Sequence, residues 1–522
     1  MPPPPWPKAT RGRRPRGGAL GLDIGTTGVK GLLIDDTGVT VAEATAAHDL
    51  HSPHPGWAEE NPADWWAGLC TVARELAEDP RGASAPDGAG AIAAVGVSGM
   101  VPAIVLLDEG GAPVRPSIQQ NDARAYAEVE ELRARLDQDE VLARTGSTTS
   151  AQHAGPRLCW VQRHEPEVWA RVRTVLGSYD YVRLRLTGRR LLELNWAVES
   201  GLWDVHTGSW VPAYLEAAGL RPDQLPPVRR PDAGAGRVTR RAAAETGLRE
   251  GTAVAVGSAD HVASALAAGV TRPGDLLIKF GGAGDILCYA DRPHVDPRLF
   301  LDAHVMPGKW LPNGCMAASG SLVKWLLTEV FGLPAGGSTL AQFDRAAAAL
   351  PPGAGGLVCL PYFLGEKTPL FDPLARGLFA GLTLSHGRPH LFRAALEAVI
   401  YGFQHHVDVL AENGLSIERV FATDGGVRSD LWRSIAADVL GREIVSFPGH
   451  PGSALGAAFV AGMHGGLFAG WDEIARFLTH RRVDRPDPAR HKRYRELYGI
   501  YRRLYPALKD EFGRLARLGE EL

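Results

Sequence analysis

The chain reads Leu22-Asp23-Ile24-Gly25-Thr26-Thr27-Gly28-Val29-Lys30 near its start, which is an apolar strand, a glycine turn and a second strand. Glycine tolerates positive φ and lets a backbone approach a ligand, and successive turn amides that point one way form an anion-binding concavity. A second glycine turn, Phe280-Gly281-Gly282-Ala283-Gly284-Asp285, also lies between strand-like runs. The two glycine turns together predict a phosphate clamp.

Side chains around the first glycine turn suit a magnesium phosphate. Thr26 and Thr27 can donate hydroxyl hydrogen bonds to phosphate oxygens, and Asp23 can hold Mg²⁺ directly or through water. The turn is not a Walker loop, because the Gly-Lys-Ser/Thr ending is missing and a strand follows instead of a helix. The same topology excludes a dinucleotide-binding fingerprint.

Composition places the chain among ordinary globular proteins. It has 522 residues, 45% hydrophobic and 22% charged, which allows two to four domains and excludes a disordered or fibrous protein. The formal net charge of -3 gives no general attraction to nucleic acid or an anionic membrane, so small ligands are the expected partners. The five cysteines form no C-x-x-C pair, which favours reduced thiols in a cytoplasm over a zinc cage or disulfides.

Four segments are predicted from the pattern along the chain. Residues 1–18 are rich in proline and arginine and lack the apolar core of a signal peptide, so they are either a disordered tail or an overlong start. Residues 19–270 form an N-terminal domain, residues 271–475 a C-terminal domain, and residues 476–522 accessory helices. No apolar stretch reaches the length of a membrane span, so we expect a soluble protein.

Hydrophobic periodicity predicts a mixed α/β fold in both halves. From Ala19 the pattern is a three-strand meander, and Asn61-Pro62 then gives an N-cap and first-turn proline before a helix. The second half begins the same strand, turn, strand pattern at residue 275, which is an internal repeat of pattern. Two further helices are expected at residues 389–410 and after residue 430, the second ending at Gly441.

Asp260 lies where an apolar strand ends and a helix begins, in Val256-Gly257-Ser258-Ala259-Asp260-His261. A carboxylate at a helix start is often only a cap, and the local pattern alone does not decide between a cap and a base. At a strand end that faces phosphate-binding turns, an ionised aspartate can accept a hydroxyl proton as the γ-phosphoryl group leaves ATP.

A longer motif is Gly377-Leu378-Phe379-Ala380-Gly381-Leu382, followed by His390-Leu391 and Ala394-Ala395-Leu396-Glu397. With the first glycine turn and the stretches Gly56-Trp57-Ala58-Glu59-Glu60-Asn61-Pro62, Asn121-Asp122-Ala123-Arg124, Gly425-Gly426 and Ser453-Ala454-Leu455-Gly456-Ala457-Ala458, it resembles the FGGY carbohydrate kinases. These belong to the actin, Hsp70 and sugar-kinase superfamily, and the chain is most similar to xylulokinase-like members. The resemblance covers about residues 19–477.

The resemblance implies two actin-like, ribonuclease H-like domains, each a mixed sheet flanked by helices, around a central cleft. It implies that Asp260 is the general base and that Asp23 positions Mg²⁺. It implies a sugar site that includes Asp260 and the residues Met100, Val101, Gln120, Asn121, Asp122 and His261. It implies an ATP site formed by Gly25, Thr26, Thr27, Lys30, Gly281, Gly282, Gly425, Gly426 and Arg428. ATP, Mg²⁺ and a sugar are the implied ligands, and a homodimer is left open.

Several positions depart from the family's usual residues. Met100-Val101 follows Ser98-Gly99 where xylulokinases carry Met-His after Ser-Gly-Gln, and Gln120 replaces a tryptophan. His261 replaces a usual asparagine or glutamine. The second glycine turn has no hydroxyls and adds Asp285, whose partner is a metal, a sugar or a capping amide.

The resemblance makes D-xylulose the first expected substrate, and the departures make ribulose and other ketoses or polyols equal candidates for testing. A stretch from Glu199 to Asp204 resembles the family's sugar-side segment. A nonenzymatic ATP-driven switch is the alternative from another class, because actin and Hsp70 share the nucleotide fold. The FGGY motif, Asp122 and Asp260 favour the kinase.

Overall fold

A computed structural model describes residues 17–79 and 92–520 of the chain. It divides into two compact units. The first comprises Met1–Gly269, Asp302–Lys309 and Pro451–Phe477, and the second comprises Val270–Leu301, Trp310–His450 and Leu478–Leu522. The first division between the units is at residue 270, which is near the boundary predicted from the sequence. Two later segments of the chain belong to the first unit. The predicted tail lies outside the described residues except for Gly17 and Gly18, and Gly18 begins the first strand.

The first unit is built on a seven-stranded mixed sheet. Its strands in spatial order are Gly234–Arg237, Ala253–Ala255, Ile92–Gly99, Gly18–Gly25, Gly28–Ile34 and Thr40–Ala47, and Ser258–Ala259 also pairs with Ile92–Gly99. The predicted meander is confirmed, since the last three strands of this order are antiparallel neighbours. Ile92–Gly99 runs parallel to Gly18–Gly25 and to Ala253–Ala255.

The second unit repeats this topology, which confirms the predicted internal repeat. Its sheet has the order Phe300–Ala303, Trp310–Met316, Gly284–Cys288, Asp275–Phe280, Arg419–Thr423, Ile444–Ser446 and Arg482–Asp484. The last two residues of strand Phe300–Ala303, which are Asp302 and Ala303, group with the first unit. Antiparallel strands flank the second glycine turn, two parallel strands follow, and Arg482–Asp484 closes the edge antiparallel to its neighbour. Residues 476–522, predicted as accessory helices, contribute this edge strand before helix Pro488–Glu520, and its three residues are too few to show an alternating pattern.

Five short strand pairs and the helices complete the two units. The pairs are Glu59–Glu60 with Ser117–Ile118, Val105–Leu107 with Thr174–Leu176, Leu192–Glu193 with Val228–Arg229, Trp203–Asp204 with Ser209–Trp210, and Val358–Leu360 with Leu378–Ala380. The first unit has helices Pro62–Ala77, Tyr126–Arg135, Gln138–Thr145, Ala154–His164, Pro166–Arg171, Ser178–Thr187, Leu194–Glu199, Pro212–Ala217, Arg240–Thr246, Asp260–Ala267 and Ser453–His464, with 3-10 helices Pro222–Gln224 and Trp471–Phe477. The second has Gly320–Trp325, the π-helical turn Leu326–Val330, Gly337–Ala348, Arg388–Glu412, the 3-10 helix Gly425–Arg428, Asp430–Leu440 and Pro488–Glu520.

Helix boundaries follow the predicted caps. The side chain of Asn61 accepts a hydrogen bond from the backbone N–H of Ala63 at 3.0 Å, and helix Pro62–Ala77 begins at the proline. Helix Asp430–Leu440 ends at Gly441, whose φ of 63° is the left-handed C-cap conformation. Among the helices of residues 17–79 and 92–520, none is both long and apolar enough to cross a membrane.

Helix Ser453–His464 packs closely against the first sheet and fixes the geometry of the site. A Cβ on Gly21 would lie 2.1 Å from the carbonyl oxygen of Ala454, so only glycine allows this approach. The same helix packs against helix Asp260–Ala267. Two helices of the first unit are therefore fixed against the strand that carries Asp23.

Candidate active site

Three neighbouring strands bring the predicted acidic residues to one edge of the first sheet. Asp23 pairs with Ser98 on the adjacent parallel strand, and Ser98 pairs on its other side with Ser258. Asp260 follows Ser258 by two residues and begins its helix. Because strands lie about 4.8 Å apart, Asp23 and Asp260 flank one strand at its carboxyl end. This edge is where α/β sheets bind ligands.

Two serine hydroxyls orient the carboxylate of Asp23. Ser98 Oγ donates to Oδ1 at 2.7 Å, and Ser453 Oγ donates to Oδ2 at 2.6 Å. Lys30 lies directly opposite Asp23 on the next strand, pairs with Glu43 at 3.3 Å, and donates to the carbonyl oxygen of Pro451 at 3.3 Å. The carboxylate and hydroxyl oxygens are hard donors of the type that Mg²⁺ prefers, so this group fits a magnesium phosphate.

The first glycine turn is a two-residue connection between paired strands. Gly25 pairs with Gly28, and Thr26 and Thr27 form the tip. Thr27 is exposed, while Thr26 Oγ1 lies 3.2 Å from the Sδ atom of Met100. The structure therefore places Met100, predicted as a sugar contact, beside the predicted phosphate turn.

A sharp turn sets the position of Asp260. Gly257 has a φ of 86°, and a Cβ there would lie 1.9 Å from the carbonyl oxygen of Val97, so glycine is required. Strand Ser258–Ala259 and then helix Asp260–Ala267 follow directly. The Asp260 side chain is 36% exposed, which leaves it accessible to a ligand.

His261 joins three carboxyl groups. Its Nδ1 lies 3.3 Å from Asp260 Oδ1, its Nε2 is hydrogen-bonded to Asp302 Oδ2 at 2.8 Å, and Glu199 Oε1 lies 3.8 Å from Nε2. Burial alone would lower the pKa of His261, but the nearby carboxyl groups, led by Asp302, raise it well above the ordinary value. Burial, and then the charge of Asp302, raises the pKa of Glu199 well above its usual range. Both shifts favour the protonated form, which is a cation for His261 and a neutral acid for Glu199.

The cluster of Glu199, His261 and Asp302 has the spacing of a metal site, with one ligand atom from each within 4.8 Å of the others. Its contacts are the 2.8 Å hydrogen bond between His261 Nε2 and Asp302 Oδ2 and the 3.8 Å approach of Glu199 Oε1 to the same nitrogen, so the three side chains form a cluster of hydrogen bonds and ion pairs.

A buried arginine connects the two segments that carry the predicted sugar contacts. Arg157 Nη1 donates to the carbonyl oxygens of Pro102 at 3.0 Å and Gln119 at 2.7 Å. These carbonyls adjoin Val101 and Gln120. Burial lowers the pKa of Arg157 to about 10, which still leaves the guanidinium charged at neutral pH. Arg157 therefore sets the relative positions of the two segments.

The carboxylate of Asp122 accepts hydrogen bonds from the residues around it. Its Oδ1 accepts from Arg124 N at 3.0 Å and Nε at 2.8 Å, and its Oδ2 accepts from Ala58 N at 2.6 Å and Arg124 Nη2 at 2.7 Å. A carboxylate has about four acceptor sites, and these four hydrogen bonds occupy them. Contact of Asp122 with sugar hydroxyls stays a prediction, and the neighbouring Asn121 is exposed.

The second glycine turn lies in the second unit and is anchored through its carbonyl groups. Gly281 O accepts from the N–H of Gly320 at 2.8 Å, and Gly282 O accepts from that of Ser319 at 2.8 Å. Lys279 lies 3.5 Å from Asp285 and 4.0 Å from Asp424.

Lys279 is a protein partner of Asp285, whose partner the sequence alone did not decide. Asp424 immediately precedes the 3-10 helix Gly425–Arg428, and this short helix lies against strand Asp275–Phe280. The second unit thus gathers its predicted ATP-binding residues around two adjacent strands.

Known proteins match both units. Models of the FGGY family of carbohydrate kinases match residues 19–267 with the N-terminal domain and residues 290–465 with the C-terminal domain. The chain is 47% identical to a xylulose kinase from Rhodospirillum rubrum, whose crystal structure matches with a TM-score of 0.88 over 95% of this chain and 99% of that one. The chain belongs to the FGGY family of carbohydrate kinases. This confirms the family and the actin-like fold class that the sequence predicted.

Other relatives extend the comparison. A xylulose kinase from Escherichia coli K12 is 31% identical over 94% of this chain and 99% of its own length. A gluconokinase from Bacillus subtilis is 26% identical over 95% of this chain and 97% of its own. This FGGY kinase is an enzyme, a phosphotransferase with an alcohol group as acceptor, and its family uses ATP. The alternative of a nonenzymatic switch is wrong.

Three residues of this FGGY kinase's first unit were missed by sequence reasoning. Ser453 lies within a stretch noted only for its resemblance, Asp302 is 41 positions from His261, and Arg157 lies in a helix where a surface arginine is the usual expectation. A serine at a helix start that follows a glycine was the only available signal for Ser453.

Proposed function

We propose that this enzyme transfers the γ-phosphoryl group of MgATP to a hydroxyl of a pentulose, with D-xylulose as the first candidate. The observation that carries the proposal is the placement of Asp23 and Asp260 on either side of strand Ile92–Gly99 at one sheet edge. Relatives named xylulose kinase at 31% and 47% identity over nearly the whole chain support the sugar class.

The residues of the first unit have separate roles in this proposal. Asp260 accepts the proton of the attacking sugar hydroxyl, and the amides and threonine hydroxyls of the first glycine turn donate to phosphate oxygens. Asp23, oriented by Ser98 and Ser453, would hold magnesium. The metal, when bound, would neutralise charge on the phosphate oxygens. Positioning of the sugar hydroxyl and the γ-phosphoryl group supplies most of the rate enhancement.

A substrate panel tests the proposal. The enzyme is assayed for ADP release with D-xylulose, D-ribulose, L-ribulose, gluconate and glycerol at equal concentrations, and kcat/KM is compared. We expect D-xylulose to give the highest value, and Asp260→Asn run in parallel shows that the turnover belongs to this site. Failure of all five acceptors to stimulate ATP turnover would contradict the proposal.

A second candidate substrate is another ketose or a polyol acid. Met100, Val101 and Gln120 replace polar and aromatic residues that the family resemblance gives, and one relative is named gluconokinase. A hydrogen-bonding site discriminates strongly against analogues that leave its polar groups unpaired. A higher kcat/KM for ribulose or gluconate than for D-xylulose in the same panel would favour this candidate.

Arg157 offers a test of the sugar side. We expect Arg157→Met to raise the KM for the sugar about tenfold, because the Pro102 and Gln119 carbonyls lose their shared donor. The free energy of unfolding should fall by about 1–3 kcal/mol. Steady-state kinetics and thermal unfolding measure both effects. Arg171→Met removes an exposed arginine from the next helix and should change neither. An unchanged KM in Arg157→Met would show that the guanidinium does not organise the sugar segments.

Asp285 offers a test of the nucleotide side. Asp285→Asn removes a carboxylate beside the second glycine turn and the ion pair between that carboxylate and Lys279, which keeps Asp424 at 4.0 Å. We expect the KM for ATP to fall about threefold, since an anion next to a triphosphate site opposes binding. Glu412→Gln, which removes an exposed carboxylate paired with Arg298 in the same unit, is the control. A raised KM for ATP in Asp285→Asn would instead indicate that Asp285 assists binding.

A further inference from the structure

We propose that His261 is a positioning residue for Asp260, held as a cation between that base and Asp302. The inference rests on the proposed function, because it takes Asp260 as the acceptor of the sugar proton. It assigns a role to Asp302 and to the difference between His261 and the neutral residue that the family resemblance gives at this position.

The first support is the hydrogen-bond geometry. The backbone N–H of His261 donates to Asp260 Oδ1 at 2.6 Å, and ring Nδ1 lies 3.3 Å from the same oxygen. Ring Nε2 is 2.8 Å from Asp302 Oδ2. Each ring nitrogen thus faces a carboxylate, and only the imidazolium form has a proton on both. Two donors from one residue fix the rotation of the Asp260 carboxylate.

The second support is the distribution of burial and charge. The Asp302 side chain is 2% exposed and that of His261 is 21% exposed, so their ion pair is poorly screened. The groups that face the ring are Asp260 on its own helix, Glu199 from helix Leu194–Glu199 and Asp302 from strand Phe300–Ala303. Burial and the charge of Asp302 raise the pKa of Glu199, which favours its neutral form, and Arg157 is the cation that interacts electrostatically with Glu199. The cluster therefore leaves a cation next to the base.

The consequence is a defined pH range for the base. A cation within about 4 Å favours the ionised form of a carboxylate, typically by one to three pKa units. His261 therefore keeps Asp260 deprotonated to lower pH than a neutral asparagine or glutamine would. As pH rises through the raised pKa of His261, the cation is lost and its support for Asp260 ends. Asp302 sets that upper limit, because its charge contributes to raising the pKa of His261.

The pH dependence of kcat/KM for the sugar tests the inference, since it reports ionisations of the free enzyme. In His261→Asn we expect the acidic limb to move up by about one pH unit, the alkaline limb of His261 to disappear, and kcat to fall about tenfold. In Asp302→Asn we expect the alkaline limb to move to lower pH, because His261 loses its anion. Asp232→Asn, which removes a buried carboxylate paired with Arg230, should leave the profile unchanged.

Proton NMR of the full-length enzyme gives a readout besides activity. The His261 C2–H resonance, assigned by its absence in His261→Gln, should titrate well above the usual histidine pKa of about 6.5 and move down in Asp302→Asn. The inference would be overturned if the limbs of the pH profile stayed in place in both His261→Asn and Asp302→Asn, or if His261 titrated with the usual histidine pKa. Asp260→Asn assayed beside them separates the two proposals: an active Asp260→Asn enzyme refutes the base itself, whereas an inactive one with unshifted His261 variants refutes only the role of His261.

Discussion

Asp260→Asn is expected to lower kcat by about two orders of magnitude or more, the usual contribution of a general base. The amide keeps the shape of the carboxylate but cannot accept the proton of the sugar hydroxyl at neutral pH. The side chain is 36% exposed at the start of its helix, and His261 keeps its hydrogen bond to Asp302, so we expect the fold to be retained. KM for the sugar and for ATP should change much less than kcat, because an interaction made mainly in the transition state is lost.

The alternative role of Asp260 as a helix cap gives a different result. A cap or helix-dipole interaction contributes about 0.3–1 kcal/mol to stability and nothing to the rate of proton transfer. Asp64→Asn is the matched control, because Asp64 is an exposed carboxylate in the first turn of helix Pro62–Ala77. Thermal unfolding and steady-state kinetics are measured on both variants. Turnover near that of the unsubstituted enzyme in Asp260→Asn, with only a small loss of stability, would identify a cap.

The local sequence pattern predicted the elements of the fold that are formed by residues close together in the chain. The meander around the first glycine turn and its counterpart near residue 275 follow from alternating apolar residues and glycine pairs, and both are confirmed. The grouping of Asp302–Lys309 and Pro451–Phe477 with the first unit was not predictable, because it depends on packing between segments far apart in sequence. The close contact of Gly21 with Ala454 is of this kind.

The candidate site likewise contains residues that the local sequence predicted and residues that it did not. Asp23 and Asp260 were predicted because Asp23 lies in a strand just before a glycine turn and Asp260 follows a strand at a helix start, and the sheet register now places them on one edge. Asp302 and Ser453 were missed because their partners lie 41 and 430 positions away, where no spacing rule applies. Resemblance suggested Asp122 as a sugar contact, which stays a prediction, and its hydrogen bonds to Ala58 and Arg124 were not predictable from local spacing.

Asp23→Asn is expected to lower kcat by about a hundredfold and to raise the Mg²⁺ concentration needed for half-maximal rate. The asparagine can keep its contacts with Ser98 and Ser453, since a hydroxyl both donates and accepts, so the change removes the charge and leaves the fold. Loss of a carboxylate weakens a site for a hard divalent cation, and the rate falls because charge on the phosphate oxygens is then less well neutralised. The measurement is kcat as a function of Mg²⁺ at fixed ATP and saturating sugar.

Ser453→Ala separates the charge of Asp23 from its orientation. It removes one of the two hydroxyls that hold the carboxylate, so kcat should fall by about three- to tenfold while the charge that attracts Mg²⁺ stays. Asp35→Asn is the control, because Asp35 caps the next turn of the same meander through Thr37 and Val39. If Asp23→Asn kept the Mg²⁺ dependence of the unsubstituted enzyme, Asp23 would not be part of the metal site. A graded order, with Asp23→Asn most impaired, Ser453→Ala intermediate and Asp35→Asn unaffected, is the result that a carboxylate aimed by two serines requires.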